Sequence, residues 1–255
     1  KDMNLDGTNL DKWSLTDGDS YVLSNNSGTV TITGATNITA NNEGDKAFAF
    51  DVCKYANYAV PVVNVTGAEV KVNGAIEVHQ DIPNNLNISA GTFTKEIKEA
   101  WCAEGYIPTQ NTDGTWTVKA GKYVARIGEI GYETLAEAIA AIGAGDVVIE
   151  LLDNASLDYN AREAYGTTET TSVTINGNGK TLTLNQTNSD WSSLGLKNAG
   201  AKVVFNDMTI EKTGYGDTSG AWNTHAIIFT SNVEMTDVTV NNSMAVQAGA
   251  TLNNV

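Results

Sequence analysis

The chain has 255 residues, 41% of them hydrophobic and 7% aromatic, with 24 glycines and three prolines. Thirty acidic residues against 15 basic ones give a formal charge of −15, and only Arg126 and Arg162 are arginines. This excludes a phosphate-neutralising nucleic-acid surface and argues against an anionic polysaccharide as substrate, while no run approaches the ~20 apolar residues of a membrane span.

Residues 15–93 alternate apolar and polar positions in short runs: Tyr21–Ser24, Thr29–Thr33, Ala47–Asp51, Val60–Thr66, Glu69–Asn73, Ile76–His79 and Leu86–Ser89. Asn-Gly, Asp-Gly and Asn-Asn turns separate them, so each run predicts a short strand. With so little proline, Asn, Asp and Gly must make the corners. Thr94–Cys102 then predicts a short helix ending before Gly105, and Ile107–Val118 a hairpin turning at Asp113-Gly114. The clearest helix opens at Thr134. Leu135, Ala138, Ile139 and Ile142 form one apolar stripe, Thr134 and Glu137 make a capping box, and Gly143 is the expected left-handed stop. Val147–Leu152 and two strands within Ser172–Leu184 follow.

A phrase recurs. Lys1-Asp-Met-Asn-Leu-Asp6 matches Asn206–Glu211 and Thr236–Asn241, and Leu252–Val255 looks like the same phrase cut short, which predicts a piece of a longer protein. Asp207 and Asp237 are 30 residues apart and Asp237 and Asn254 are 17 apart, as expected of stacked coils carrying loops of unequal length. The expected fold is all-β: a right-handed parallel β-helix (solenoid) with one short capping helix. Its coils bury their inward residues only by stacking on neighbours. Asn64, Asn73, Asn176 and Asn254 are candidates for inward amide ladders. The expected organisation is the C-terminal part of a first β-helix unit (1–93), a helix–hairpin connector (94–122), and the N-terminal cap and coils of a second unit (123–255). Cys53 and Cys102 lie too far apart in sequence for a metal motif and are read either as a long-range disulfide or as buried free thiols.

Two groups of phrases carry a family resemblance. Gly91-Thr-Phe-Thr94, Cys102–Tyr106 and Asp113–Val118 are similar to the "GTFS…AEGY…DGTYTV" tail of β-helix units in large surface proteins of Gram-positive gut bacteria. Tyr132–Ile139, Gly145–Val147 and Gly179–Leu182 resemble the "YxTLxEAI…GDTI…NGKTLT" opening of the next unit in such adhesin-like, pectin-lyase-like proteins. The resemblance covers about 90 residues. It implies a right-handed coil and an extracellular, bacterial cell-surface location, and it brings no catalytic residues.

The expected function is a non-catalytic adhesin or binding module that displays loops on a β-helix stalk. Its partner would be a host or microbial surface glycan or protein. The alternatives are a carbohydrate-active enzyme (polysaccharide lyase or glycosidase) and a self-assembling surface fibre or layer, since open β edges invite pairing. Tyr215, Trp222 and His225, in the Gly-rich excursion Tyr215–His225, are the candidate ligand-binding residues, because aromatic faces stack on sugars. No catalytic residue is assigned. Asp17/Asp19 and Asp153/Asp158 read as turn residues, and His79 as an exposed strand position. No metal ligand or cofactor is expected: Asp-Gly turns offer oxygens for calcium, but no calcium-binding repeat supports it.

Overall fold

A computed structural model describes residues 3–6, 20–40, 47–187, 192–215 and 226–255. The protein is mostly β-strand, and among the described residues it has one α-helix. It divides into two compact units, Lys1–Lys122 and Tyr123–Val255.

In the first unit, strands β1 (Met3–Asp6), β2 (Ser20–Asn25), β3 (Thr29–Ile32), β4 (Thr36–Thr39), β5 (Ala47–Val52), β6 (Val62–Val65), β7 (Lys71–Asn73), β8 (Ala75–Val78), β9 (Leu86–Ile88) and β10 (Thr92–Phe93) follow one another. Every third strand pairs. The orders are β1-β4-β7-β10, β2-β5-β8 and β3-β6-β9, and each of these pairs is parallel. The chain therefore visits three sheets and returns to the first, one strand over. Registration aligns inward residues in columns. Ile32, Val65 and Ile88 form one, and Ile38, Val72 and Phe93 another, all 5% exposed or less. A strand of three to six residues buries little by itself. Stacking lets each such side chain contribute about 1.5–3 kcal/mol of hydrophobic stabilisation.

Asn64 departs from the inward expectation. It alternates with buried Val63 and Val65, so it lies on the outer side, where its Oδ1 accepts a hydrogen bond from Asn87 Nδ2 at 3.1 Å. An amide ladder forms, but outside the core, because inward positions are claimed by Val, Ile and Leu.

The helix expected over Thr94–Cys102 shrinks to a single 3₁₀ turn, Glu99–Trp101. Ile97 and Trp101 are buried. The backbone instead serves the sheet: Lys98 is extended, Cys102 bridges to Ile88, and Ala103 N–H donates to the Ile88 carbonyl. Pairing with the stack outweighs local propensity. The hairpin forms as β11 (Tyr106–Gln110) and β12 (Trp116–Ala120). Asp113 accepts from the Thr115 backbone N–H and hydroxyl, and Gly114 takes φ 86°. β12 adds antiparallel to β10, which ends the parallel run of that sheet.

The second unit opens with an antiparallel hairpin of β13 (Ala125–Ile127) and β14 (Ile130–Tyr132), then helix α1 (Leu135–Ala140). The Thr134–Glu137 capping box is present in both directions. Leu135, Ala138, Ile139 and Ile142 turn into the core. Gly143 is not the left-handed residue: Ala141 ends the helix at φ −87°, and the positive φ falls on Gly145, entering the next strand.

Then come β15 (Gly145–Leu151), β16 (Ala155–Asp158), β17 (Arg162–Tyr165), β18 (Thr170–Gln186), β19 (Ser193–Leu196), β20 (Lys202–Gly214), β21 (Ile227–Phe229), β22 (Asn232–Val240), β23 (Met244–Val246) and β24 (Ala250–Asn253). β15, β18, β20, β22 and β24 stack in parallel, as do β17, β19, β21 and β23. β18 pairs with both β15 and β16, because it turns a corner at Gly177-Asn178-Gly179, where Asn178 has φ 52°. A Cβ at Gly177 would strike Met208 and Asp207, so glycine is required there.

In the following circuits one left-handed residue suffices: Asp207 (φ 48°), Asp237 (φ 56°) and Asn254 (φ 53°). These are the aspartates and asparagine of the recurring phrase. Asn254 Nδ2 donates to Asp237 Oδ1 at 2.6 Å, stacking corner on corner. Outer residues are tied likewise, Asn206 to Asn176 (3.0 Å) and Asn176 to Glu150 (2.6 Å). Inside, Tyr159 is fully buried; its hydroxyl donates to the Ser192 carbonyl (2.9 Å) and accepts from Ile228 N–H (2.7 Å). One side chain thus links three successive circuits.

Candidate ligand-binding site

The most site-like region lies in the first unit, on the outer side of the β2-β5-β8 sheet. β5 reads Ala-Phe-Ala-Phe-Asp-Val, and alternation sends Phe50 and Val52 inward and Asp51 outward. Register places Ser24, Asp51 and Glu77 in one row across the three strands, about 4.8 Å apart. Tyr21, three residues before Ser24, stacks on Phe48 with ring centroids 5.5 Å apart, and its hydroxyl donates to Glu77 Oε2 at 3.1 Å.

Tyr21, Asp51 and Glu77, with Val52, Cys53, Val78, His79 and Gln80, line a concavity of about 380 Å³. Asp51 is 3% exposed, and its Oδ1 is buried with no hydrogen-bond partner among the described residues. Burial is the main cause that pushes its carboxyl above the ordinary range; Ser24 opposes this by hydrogen bonding and Glu77 adds like charge. The Cys53 thiol is pushed up by burial and then by Asp51 and Glu77. His79 Nδ1 accepts the Asp81 backbone N–H at 3.2 Å, so in the neutral ring the proton sits on Nε2.

The loop after β5 is the second component. In Tyr55-Ala56-Asn57-Tyr58 the Tyr58 N–H donates to the Tyr55 carbonyl, and Ala56 takes φ 40°. That conformation costs a non-glycine residue roughly 1–2 kcal/mol. It brings the two tyrosines together, with ring centroids 5.8 Å apart at 25° and exposures of 59% and 62%. Val60 follows, 47% exposed. Strain that produces an exposed aromatic pair is an observation from which a functional hypothesis can start.

Of the residues selected from sequence, Tyr215 is 47% exposed immediately after β20. Its N–H donates to Gln186 O and its carbonyl accepts from Lys212 Nζ. Trp222 and His225 lie outside the described residues, as do Asp17 and Asp19. Asp153 accepts from the Asn154 backbone N–H, and Asp158 from Asn185 Nδ2. His79 is half-buried in the wall of the concavity rather than in an exposed strand. Both cysteines are free. Among the described residues no group of three His, Cys, Asp or Glu could hold a metal ion, and no helix is long and apolar enough to cross a membrane. Tyr55, Tyr58, Asp51 and Glu77 were not singled out from sequence. The one signal for the tyrosines is their i, i+3 spacing inside a turn. Asp51 and Glu77 are 26 positions apart, and only the strand register makes them neighbours.

Comparison with protein-family models, with curated proteins and with solved structures finds no match in any of the three.

Proposed function

We propose that this chain is a non-catalytic glycan-binding module of a bacterial cell-surface adhesin, built as two right-handed parallel β-helix units of the pectin-lyase-like kind. The pairing of every third strand in parallel supports the β-helix reading, and parallel crossovers are right-handed in about 98% of cases. The phrases shared with adhesin-like proteins support the surface location. The observation that carries the binding function is the exposed Tyr55–Tyr58 pair in the loop that leaves the Asp51–Glu77 concavity. Aromatic faces take the apolar faces of pyranose rings, while carboxylates and amides accept from sugar hydroxyls. A glycan array probed with the chain and with Tyr55→Ala/Tyr58→Ala tests it: the variant is expected to lose at least ten-fold in affinity for the glycans bound, and unchanged binding overturns the site.

The register-paired carboxyls favour one second reading, glycoside hydrolysis by Asp51 and Glu77, since such enzymes use a carboxyl pair. Reducing-end release from a neutral polysaccharide panel, abolished in Glu77→Gln, would establish it over plain binding.

A further inference from the structure

We propose that the concavity on the β2-β5-β8 sheet is a subsite for a cationic group, the ammonium of an unacetylated amino sugar. The inference rests on the glycan-binding reading and specifies which glycans the site selects. Three observations converge. First, two carboxyls, Asp51 and Glu77, stand on adjacent strands in one outward row, and among the described residues no lysine or arginine lines the cavity with them. Second, Asp51 is 3% exposed, and its Oδ1 lies buried without a donor among the described residues. An unsatisfied buried acceptor withholds stability until something supplies the missing hydrogen bond. Third, the Tyr21 hydroxyl already satisfies Glu77 Oε2, which holds that carboxyl in place.

A neutral hydroxyl would satisfy the missing hydrogen bond but leave two like charges side by side. An ammonium supplies both the donor and the counter-charge, and charge-assisted hydrogen bonds are the stronger kind. A bare metal ion suits the site less, because among the described residues no three acidic, histidine or cysteine side chains converge on one point. The remaining wall suits a sugar. His79 presents an Nε2–H donor and Gln80 an amide, and the cavity's ~380 Å³ falls within the range of small-ligand sites. The tyrosine loop begins at Cys53, in the same wall, and offers a stacking face for a further ring.

The test is calorimetric titration of the full chain at high salt, which screens its net charge of −15. The probes are a glucosamine tetramer, its fully N-acetylated counterpart and a neutral glucose tetramer. The glucosamine tetramer is expected to bind about ten-fold more tightly than the acetylated one, the size of one charge-assisted hydrogen bond. In Asp51→Asn, and independently in Glu77→Gln, that preference should collapse to parity. Equal affinity of the native chain for free-amine and acetylated tetramers overturns the subsite but leaves glycan binding standing. A preference that survives both substitutions overturns it as well. No binding of any of the three tetramers overturns the subsite and the glycan-binding reading together.

Discussion

The two units each bury a polar side chain, and they treat it in opposite ways. Tyr159 in the second unit finds partners on two neighbouring circuits, and burial pushes its phenol up to about 12. Asp51 in the first unit is almost as deeply covered, yet one of its oxygens has no donor and a second carboxyl stands in the next strand. A buried polar group that serves the fold is satisfied by the fold. One left unsatisfied on a cavity wall is a cost the fold bears for another reason, and ligand binding supplies one.

The largest effect that would sharpen this contrast is at Tyr159. Tyr159→Phe removes the hydrogen bonds to the Ser192 carbonyl and the Ile228 N–H, and an expected loss of about 2–3 kcal/mol should appear in chemical denaturation. Asp51→Asn should run the other way at neutral pH, gaining about 1 kcal/mol or less. Its sign follows from linkage. The folded carboxyl titrates above its ordinary value of 3.8, so the favourable protonated form is fully present below that pH and is lost as pH rises through the folded pKa. The native chain and the variant should therefore be equally stable in acid, with the variant pulling ahead as pH rises. If the native chain is instead the more stable at pH 7, the contrast with Tyr159 is broken.

Smaller still is Ala56→Gly. Relief of the left-handed alanine, partly offset by the flexibility of glycine in the unfolded chain, should leave a gain of about 0.5 kcal/mol in thermal denaturation. The same change should loosen the tyrosine pair and weaken glycan binding. The smallest effect is chemical. Cys102 is held at about 11 by burial and Glu99, whereas Cys53 is raised by burial and by the concavity's carboxyls. Asp51→Asn should therefore quicken iodoacetamide labelling of Cys53 at pH 8 and leave Cys102 unchanged.

How much of this was legible in the sequence differs by feature. The capping box at Thr134 and the turn at Asp113-Gly114 are local chemistry and stand where their residues predict. The recurring Asp207, Asp237 and Asn254 also mark true corners, because a left-handed residue leaves a compositional trace. The helix expected at Thr94–Cys102 shrank to one 3₁₀ turn, since Cys102 and Ala103 pair with Ile88 instead. The site itself was hidden. Asp51 and Glu77 become neighbours only through a register set by loops of unequal length, and Ala56 carries no signal that it will adopt positive φ. The candidates Tyr215, Trp222 and His225 rest on composition, and the last two lie outside the described residues.

The single-residue corners have a consequence for how such a molecule can change. At Asp207, Asp237 and Asn254 the direction of the chain is reset by one backbone conformation, whatever length of chain intervened. Intervals of 30 and 17 residues arrive at the same angle and the same alignment with the strand below. Excursions can therefore lengthen, shorten or exchange their chemistry without disturbing the scaffold, so new recognition surfaces can arise by editing loops alone.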